Sequence, residues 1–195
     1  MPRSRSPLLV LTGIVLIVAP VIAVVLKCVS FGWMMVFLLF GPIYLFAAGY
    51  AVQVVIACQR CFAPRDPLVD QPAARLRIVC AAWLTSIGVI LLGVFLPDGG
   101  DSTYGSTFQV LLGANDRFAD RDALHAATDT LTASIAVLAT AAWGWGYIWL
   151  FIEWIIWRSM RKRTRASMAA VPYLPPQSAQ PQYAPPPEGT PRTDL

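Results

Sequence analysis

Charge is scarce in this chain, and lysine and histidine are scarcer still. Only 13% of its 195 residues are charged, about half the share found in average globular proteins. A soluble domain so poor in charge has too little polar surface to cover itself, so that class is excluded. Lys27 and Lys162 are the only lysines and His125 the only histidine. A single histidine leaves little scope for Ser–His or Cys–His catalysis. Four cysteines are too sparse for a disulfide scaffold. No glycine-rich nucleotide loop, G-x-S-x-G or H-E-x-x-H is present. The expectation is a protein without catalytic activity, cofactor or metal.

What is abundant is apolar. Hydrophobic residues make up 56% and the mean hydropathy is +0.58, which rules out disorder over most of the length. The class left standing is an integral membrane protein. A helix needs about 20 apolar residues to cross roughly 30 Å of hydrocarbon. Four runs qualify: 8–26, 33–57, 76–96 and 131–157. They are continuous rather than alternating, which argues against an outer-membrane barrel. The predicted fold is therefore all-α, with four transmembrane helices in a bundle. The arginine bias, with abundant Ala, Gly and Pro, points to a GC-rich bacterial genome.

The basic residues set the expected orientation. Arg3 and Arg5 precede the first run. Arg60, Arg65, Arg75 and Arg77 lie between or just inside the second and third. Arg158, Arg161, Lys162, Arg163 and Arg165 follow the fourth. These regions alternate onto one side, eleven basic residues against Lys27, Arg117 and Arg121 on the other. The positive-inside rule then places both termini in the cytoplasm, in a multi-pass protein of the inner membrane. Residues 1–7 form the cytoplasmic N-terminus, 8–157 the transmembrane domain and 97–130 an outer loop. Residues 1–23 resemble a signal peptide, but the apolar run passes the Val21-Ile22-Ala23 cleavage-like site, so a retained first span is expected.

Small residues suggest how the helices meet, because close backbone approach must replace the hydrophobic drive that lipid removes. Thr132, Ala136, Thr140 and Gly144 recur every four residues in the fourth run. They are read as a packing seam, with that helix at the centre of the bundle. Bulk at Gly144 would then separate two backbones. Pro20 and the Gly41-Pro42 pair are expected to kink the first two helices.

Candidate sites are few. Glu153 is the only acidic residue inside a run, and Arg77 is its expected partner in an intramembrane ion pair. Trp154 and Trp157 beside Arg158, Arg161, Lys162, Arg163 and Arg165 form a basic, aromatic belt of the kind that meets anionic lipid headgroups. Nucleic acid is not an expected partner, since the positive charge belongs to the membrane interface. Cys58-Gln-Arg-Cys61, even with Cys80 nearby, lacks the further ligands of a zinc site. Asp122, His125 and Asp129 share one face of a helix expected to start near Asn115, read as a solvated face. Residues 158–165 form a basic juxtamembrane segment, and 166–195 a disordered tail holding Pro172, Pro175, Pro176, Pro181, Pro185, Pro186, Pro187 and Pro191. Such a tract favours extended polyproline II or disorder. Tyr173 and Tyr183 give it contact points for a cytosolic protein.

These features lead to one expected role and one rival. The first is a small scaffold or accessory subunit acting through protein contacts. The rival is an oligomeric pore or channel, including the phage holin or exclusion type, built from copies of the chain. A water-filled path needs polar residues on one face at successive depths. Gln53, Thr85, Ser86, Thr140 and Glu153 are too scattered to supply one.

Overall fold

The computed structural model describes residues 6–30, 32–63, 71–99, 104–114 and 122–170. The basic N-terminal Arg3 and Arg5, Arg65, the Asn115 cap, Arg117, Arg121 and the Pro-rich segment from 171 onward lie outside them. Helix α1 spans Pro7–Lys27 and ends in a 3-10 turn, Cys28–Ser30. Helices α2 and α3 are Trp33–Phe40 and Ile43–Ala57, and a π-helical turn, Cys58–Phe62, continues α3. Helix α4 spans Pro72–Phe95. A two-residue antiparallel hairpin follows, β1 (Asp98–Gly99) with β2 (Tyr104–Gly105), in which Asp98 faces Gly105 and Gly99 faces Tyr104. Helix α5 is Thr107–Leu111, and α6 is Asp122–Ala170.

Among the described residues, four helical segments are long and apolar enough to cross a membrane: Pro7–Ser30, Ile43–Phe62, Pro72–Phe95 and Ala123–Met168. Pro7 and Pro72 sit in the first turn of α1 and α4. There proline's missing N–H leaves no bond unmade and its fixed φ favours the helix. Pro20 is absorbed within α1, which runs unbroken to Lys27.

Two expectations are corrected here. The second apolar run, 33–57, is two helices and not one. Pro42 has no N–H to give, and its ring crowds the carbonyl four residues back. Gly41 before it leaves helical geometry, at φ −132° and ψ −83°. The membrane-length helix therefore starts at Ile43 and is completed by the π-helical turn, leaving α2 as a short separate helix. Next, α6 continues to Ala170, so residues 166–170 are helical where a disordered tail was expected. Ala166, Met168, Ala169 and Ala170 are good helix formers. Among the described residues of segment 97–130 are the hairpin, α5 and the start of α6.

Helix α4, not the fourth long helix, occupies the middle. It packs along α6 on one side and α1 on the other. Among the α6 residues with assigned burial, every buried one falls on one line: Thr132, Ala136, Ala139, Gly146, Leu150, Glu153 and Trp157, with half-buried Trp143 completing it. Steps of four and three alternate along this line. That is the 3.5-residue repeat of helices crossing at a shallow left-handed angle. A Cβ at Gly146 would lie 2.8 Å from the Thr85 nitrogen and 3.0 Å from the Ala81 carbonyl oxygen. One at Gly88 would lie 2.6 Å from the Trp143 nitrogen. Backbones touch at both places, and only glycine permits it.

The seam expected at four-residue spacing is corrected accordingly. Thr132 and Ala136 are on the contact line, but Thr140 is exposed, and a Cβ at Gly144 would meet nothing within 4 Å. A strict four-residue step turns about 40° round the helix each time, so the stripe winds off the contact face after two members. Where α1, α3, α4 and α6 meet, Leu16, Ile56, Ala57, Ile78, Ala81, Ala82 and Leu150 form the apolar core.

Candidate functional site

The two ends of these helices differ in chemistry. At one end α3, α4 and α6 bring together Gln59, Arg60, Arg77, Glu153, Trp154, Trp157 and the arginines that follow. Arg77 on α4 donates its Nε–H to Glu153 Oε1 on α6. The carboxylate side chain is 8% exposed and the arginine 49%. A buried carboxylate needs such a partner, because an unpaired charge removed from water is strongly disfavoured.

Just beyond this pair the π-helical turn carries Gln59 and Arg60 against α6. Trp154 donates its indole N–H to Gln59 Oε1 at 2.9 Å, and Arg158 lies over the Trp154 ring, 5.4 Å from its centre. Trp157 receives two guanidinium groups, Arg60 at 4.9 Å and Arg161 at 5.1 Å from the ring centre. Ring faces attract cations through their quadrupole. Trp157 is 6% exposed, and its Nε1–H has no hydrogen-bond partner; the same holds for Arg161 Nε. An open cleft of about 300 Å³ lies here, lined by Gln59, Trp157, Arg158, Arg161, Lys162 and Arg165. Arg163 is exposed on α6 and is not part of the lining.

The opposite end holds a polar cluster that sequence reasoning missed. Lys27, Ser30, Asp98, Ser106, Thr107 and Gln109 are all buried. Lys27 Nζ donates to the Leu96 carbonyl at 2.7 Å and to Ser30 Oγ at 3.0 Å, and stands 3.9 Å from Asp98 Oδ2. Asp98 Oδ2 accepts the N–H groups of Gly32 and Met35, at 3.2 and 3.3 Å. It thus caps the start of α2 from a distant segment, where a negative charge also suits the helix dipole. Thr107 Oγ1 donates toward the Leu26 and Gly93 carbonyls, both at 3.0 Å, and lies 2.9 Å from Ser30 Oγ. These contacts join the ends of α1, α2, α4 and α5.

Only part of that cluster had a sequence signal. Ser106-Thr-Phe-Gln109 is a capping box, and both of its reciprocal bonds form. Gln109 Nε2 then reaches Thr128 Oγ1 on α6 at 3.2 Å. Lys27 and Asp98 stood in the sequence as a charge after an apolar run and a turn residue, with no spacing rule to join them.

The remaining candidates are placed as follows. His125 Nδ1 is 3.0 Å from the Ala114 carbonyl, and its ring lies against Tyr104, 5.4 Å between centres. Asp129 is exposed on α6, and the side chain of Asp122 lies outside the described residues. Among the described residues no group of three His, Cys, Asp or Glu stands close enough to hold a metal. Cys58 and Cys80 are exposed and Cys61 is buried, all as free thiols. The chain matches no family model, no curated protein and no solved structure.

Proposed function

We propose that the protein is a four-span inner-membrane scaffold or accessory subunit that acts through protein contacts rather than catalysis. Its helices form a bundle, both termini lie in the cytoplasm, and the Pro-rich tail docks a cytosolic partner. The observation that carries this reading is the length of α6, one helix of 49 residues. At about 1.5 Å per residue it measures roughly 73 Å, more than twice the ~30 Å of a hydrocarbon core. Its last apolar stretch ends at Trp157, and residues 158–170 extend about 20 Å further. A rigid stalk of that kind holds a tail clear of the headgroups and presents it to soluble proteins.

The polar groups within the spans lend further support. Gln53 donates to the Leu16 carbonyl at 2.6 Å, Tyr50 to Ile17 at 3.0 Å and Tyr147 to Gly49 at 2.9 Å. They tie helices together instead of lining a path.

The test is site-specific photocrosslinking in cells, with the crosslinker at Tyr173 or Tyr183 in the tail and at Leu112 on the other end. Discrete adducts with a soluble protein at the two tail sites, and none at Leu112, are expected. Adducts only with further copies of the chain, at both ends, would overturn the scaffold in favour of the oligomeric pore.

A further inference from the structure

Among the described residues, the side chains lining the cleft beside Trp157 are mainly hydrogen-bond donors. Arg158, Arg161, Lys162 and Arg165 are donors only. Gln59 accepts the Trp154 N–H on its carbonyl oxygen, and its amide NH₂ is available to donate. Trp157 contributes an indole N–H that is buried and unpartnered, next to the unpartnered Arg161 Nε. Among the described residues no carboxylate lines the cleft. The acid nearest in sequence, Glu153, is engaged by Arg77, and none follows it on α6.

Like charges repel, and four of them around one concavity raise the energy of the empty arrangement. Cation–π contact with Trp154 and Trp157 holds two of the guanidinium groups in place but does not cancel their charge. An acceptor-rich anion screens these cations and accepts from the donors that line the cleft. Charge-assisted bonds of this type are about twice as strong as neutral ones, and a phosphate's several oxygens match planar guanidinium forks.

We propose that this cleft is a phosphate-recognition site that takes the phosphate of an anionic membrane lipid. The source follows from position, since the cleft sits at the end of the apolar stretch of α6, where headgroups lie. The site deepens the reading of the basic end as membrane-facing and does not depend on what the tail docks. It differs from diffuse attraction to an anionic leaflet in having a stoichiometry and a defined set of residues.

The experiment uses the full chain in neutral detergent, with thermal unfolding followed as short-chain phosphatidic acid or inorganic phosphate is added. Saturable stabilisation by the lipid is expected, with about one lipid per chain. Arg161→Gln and Arg165→Gln should each weaken apparent affinity about tenfold. Arg163→Gln makes the same charge change outside the cleft and should leave affinity within twofold of the parent. Stabilisation by the lipid but not by equal inorganic phosphate assigns the lipid as source, and equal effects of both assign the free anion to the same site. Loss of affinity in Arg163→Gln as large as in Arg165→Gln, or no saturable effect of either ligand, would overturn the site.

Discussion

Glu153 and Arg77 are unequal partners, and the inequality predicts which one the fold misses more. The glutamate is buried while the arginine reaches solvent. Arg77→Ala leaves a buried carboxylate without its donor, at a cost of about 1–3 kcal/mol. Glu153→Gln leaves only a half-exposed cation, which water or headgroups satisfy. Thermal unfolding in detergent should therefore show the larger loss for Arg77→Ala; the reverse order would contradict the assigned burial. At the other end Asp98 serves two groups, the α2 N-terminus and Lys27. Asp98→Ala should destabilise by at least the ~0.5–2 kcal/mol of a lost cap. Asp98→Asn retains an acceptor for the cap and should lose less, and combining it with Lys27→Met should recover stability relative to Asp98→Ala. The pair at the basic end was legible because a lone acid inside an apolar run has few basic residues within reach. Lys27 and Asp98 were not, because their meeting depends on where the whole 3-10 turn and hairpin fold back.

At the scale of helices, glycine distinguishes the true contact line from the apparent one. Gly146 and Gly88 lie where backbones of α4 and α6 nearly touch, and Gly144 faces open space. Gly146→Ala should destabilise by about 1–3 kcal/mol through overpacking. Gly144→Ala should be neutral or slightly stabilising, in keeping with alanine's higher helix propensity. Leu150, fully buried in the core, should lose more on truncation to Ala, about 2–5 kcal/mol by analogy with soluble cores, than the fold loses in Gly144→Leu. Equal losses at Gly144 and Gly146 would refute the line. The existence of four long helices was readable from the apolar runs alone, because the length of a run depends only on composition. The contact face was not, since small residues are frequent all round α6 and only the facing backbone of α4 selects among them. The Gly41-Pro42 break was visible as two residues, yet its outcome, two helices rather than one kinked helix, turns on how far Gly41 leaves helical geometry, which residue identity alone does not fix.

For the molecule as a whole, burial divides the chain into parts that hold one another and a stalk that does not. Past Trp157 none of the α6 residues with assigned burial is buried. Removing residues 171–195 should therefore leave the thermal unfolding of the remaining helices unchanged within about 0.5 kcal/mol, the range of surface changes. The central claim is that four helices cross a membrane with the Arg158–Arg165 end in the cytoplasm. The most direct measurement places single cysteines at Leu112 and at Ser167, in a chain otherwise without cysteine, and treats intact cells with a membrane-impermeant maleimide. Labelling of the Leu112→Cys chain alone is expected, with Ser167→Cys labelled only after the membrane is opened. Labelling of Ser167→Cys in intact cells would contradict the orientation, and release of the protein from membranes by alkaline carbonate would contradict the crossing itself.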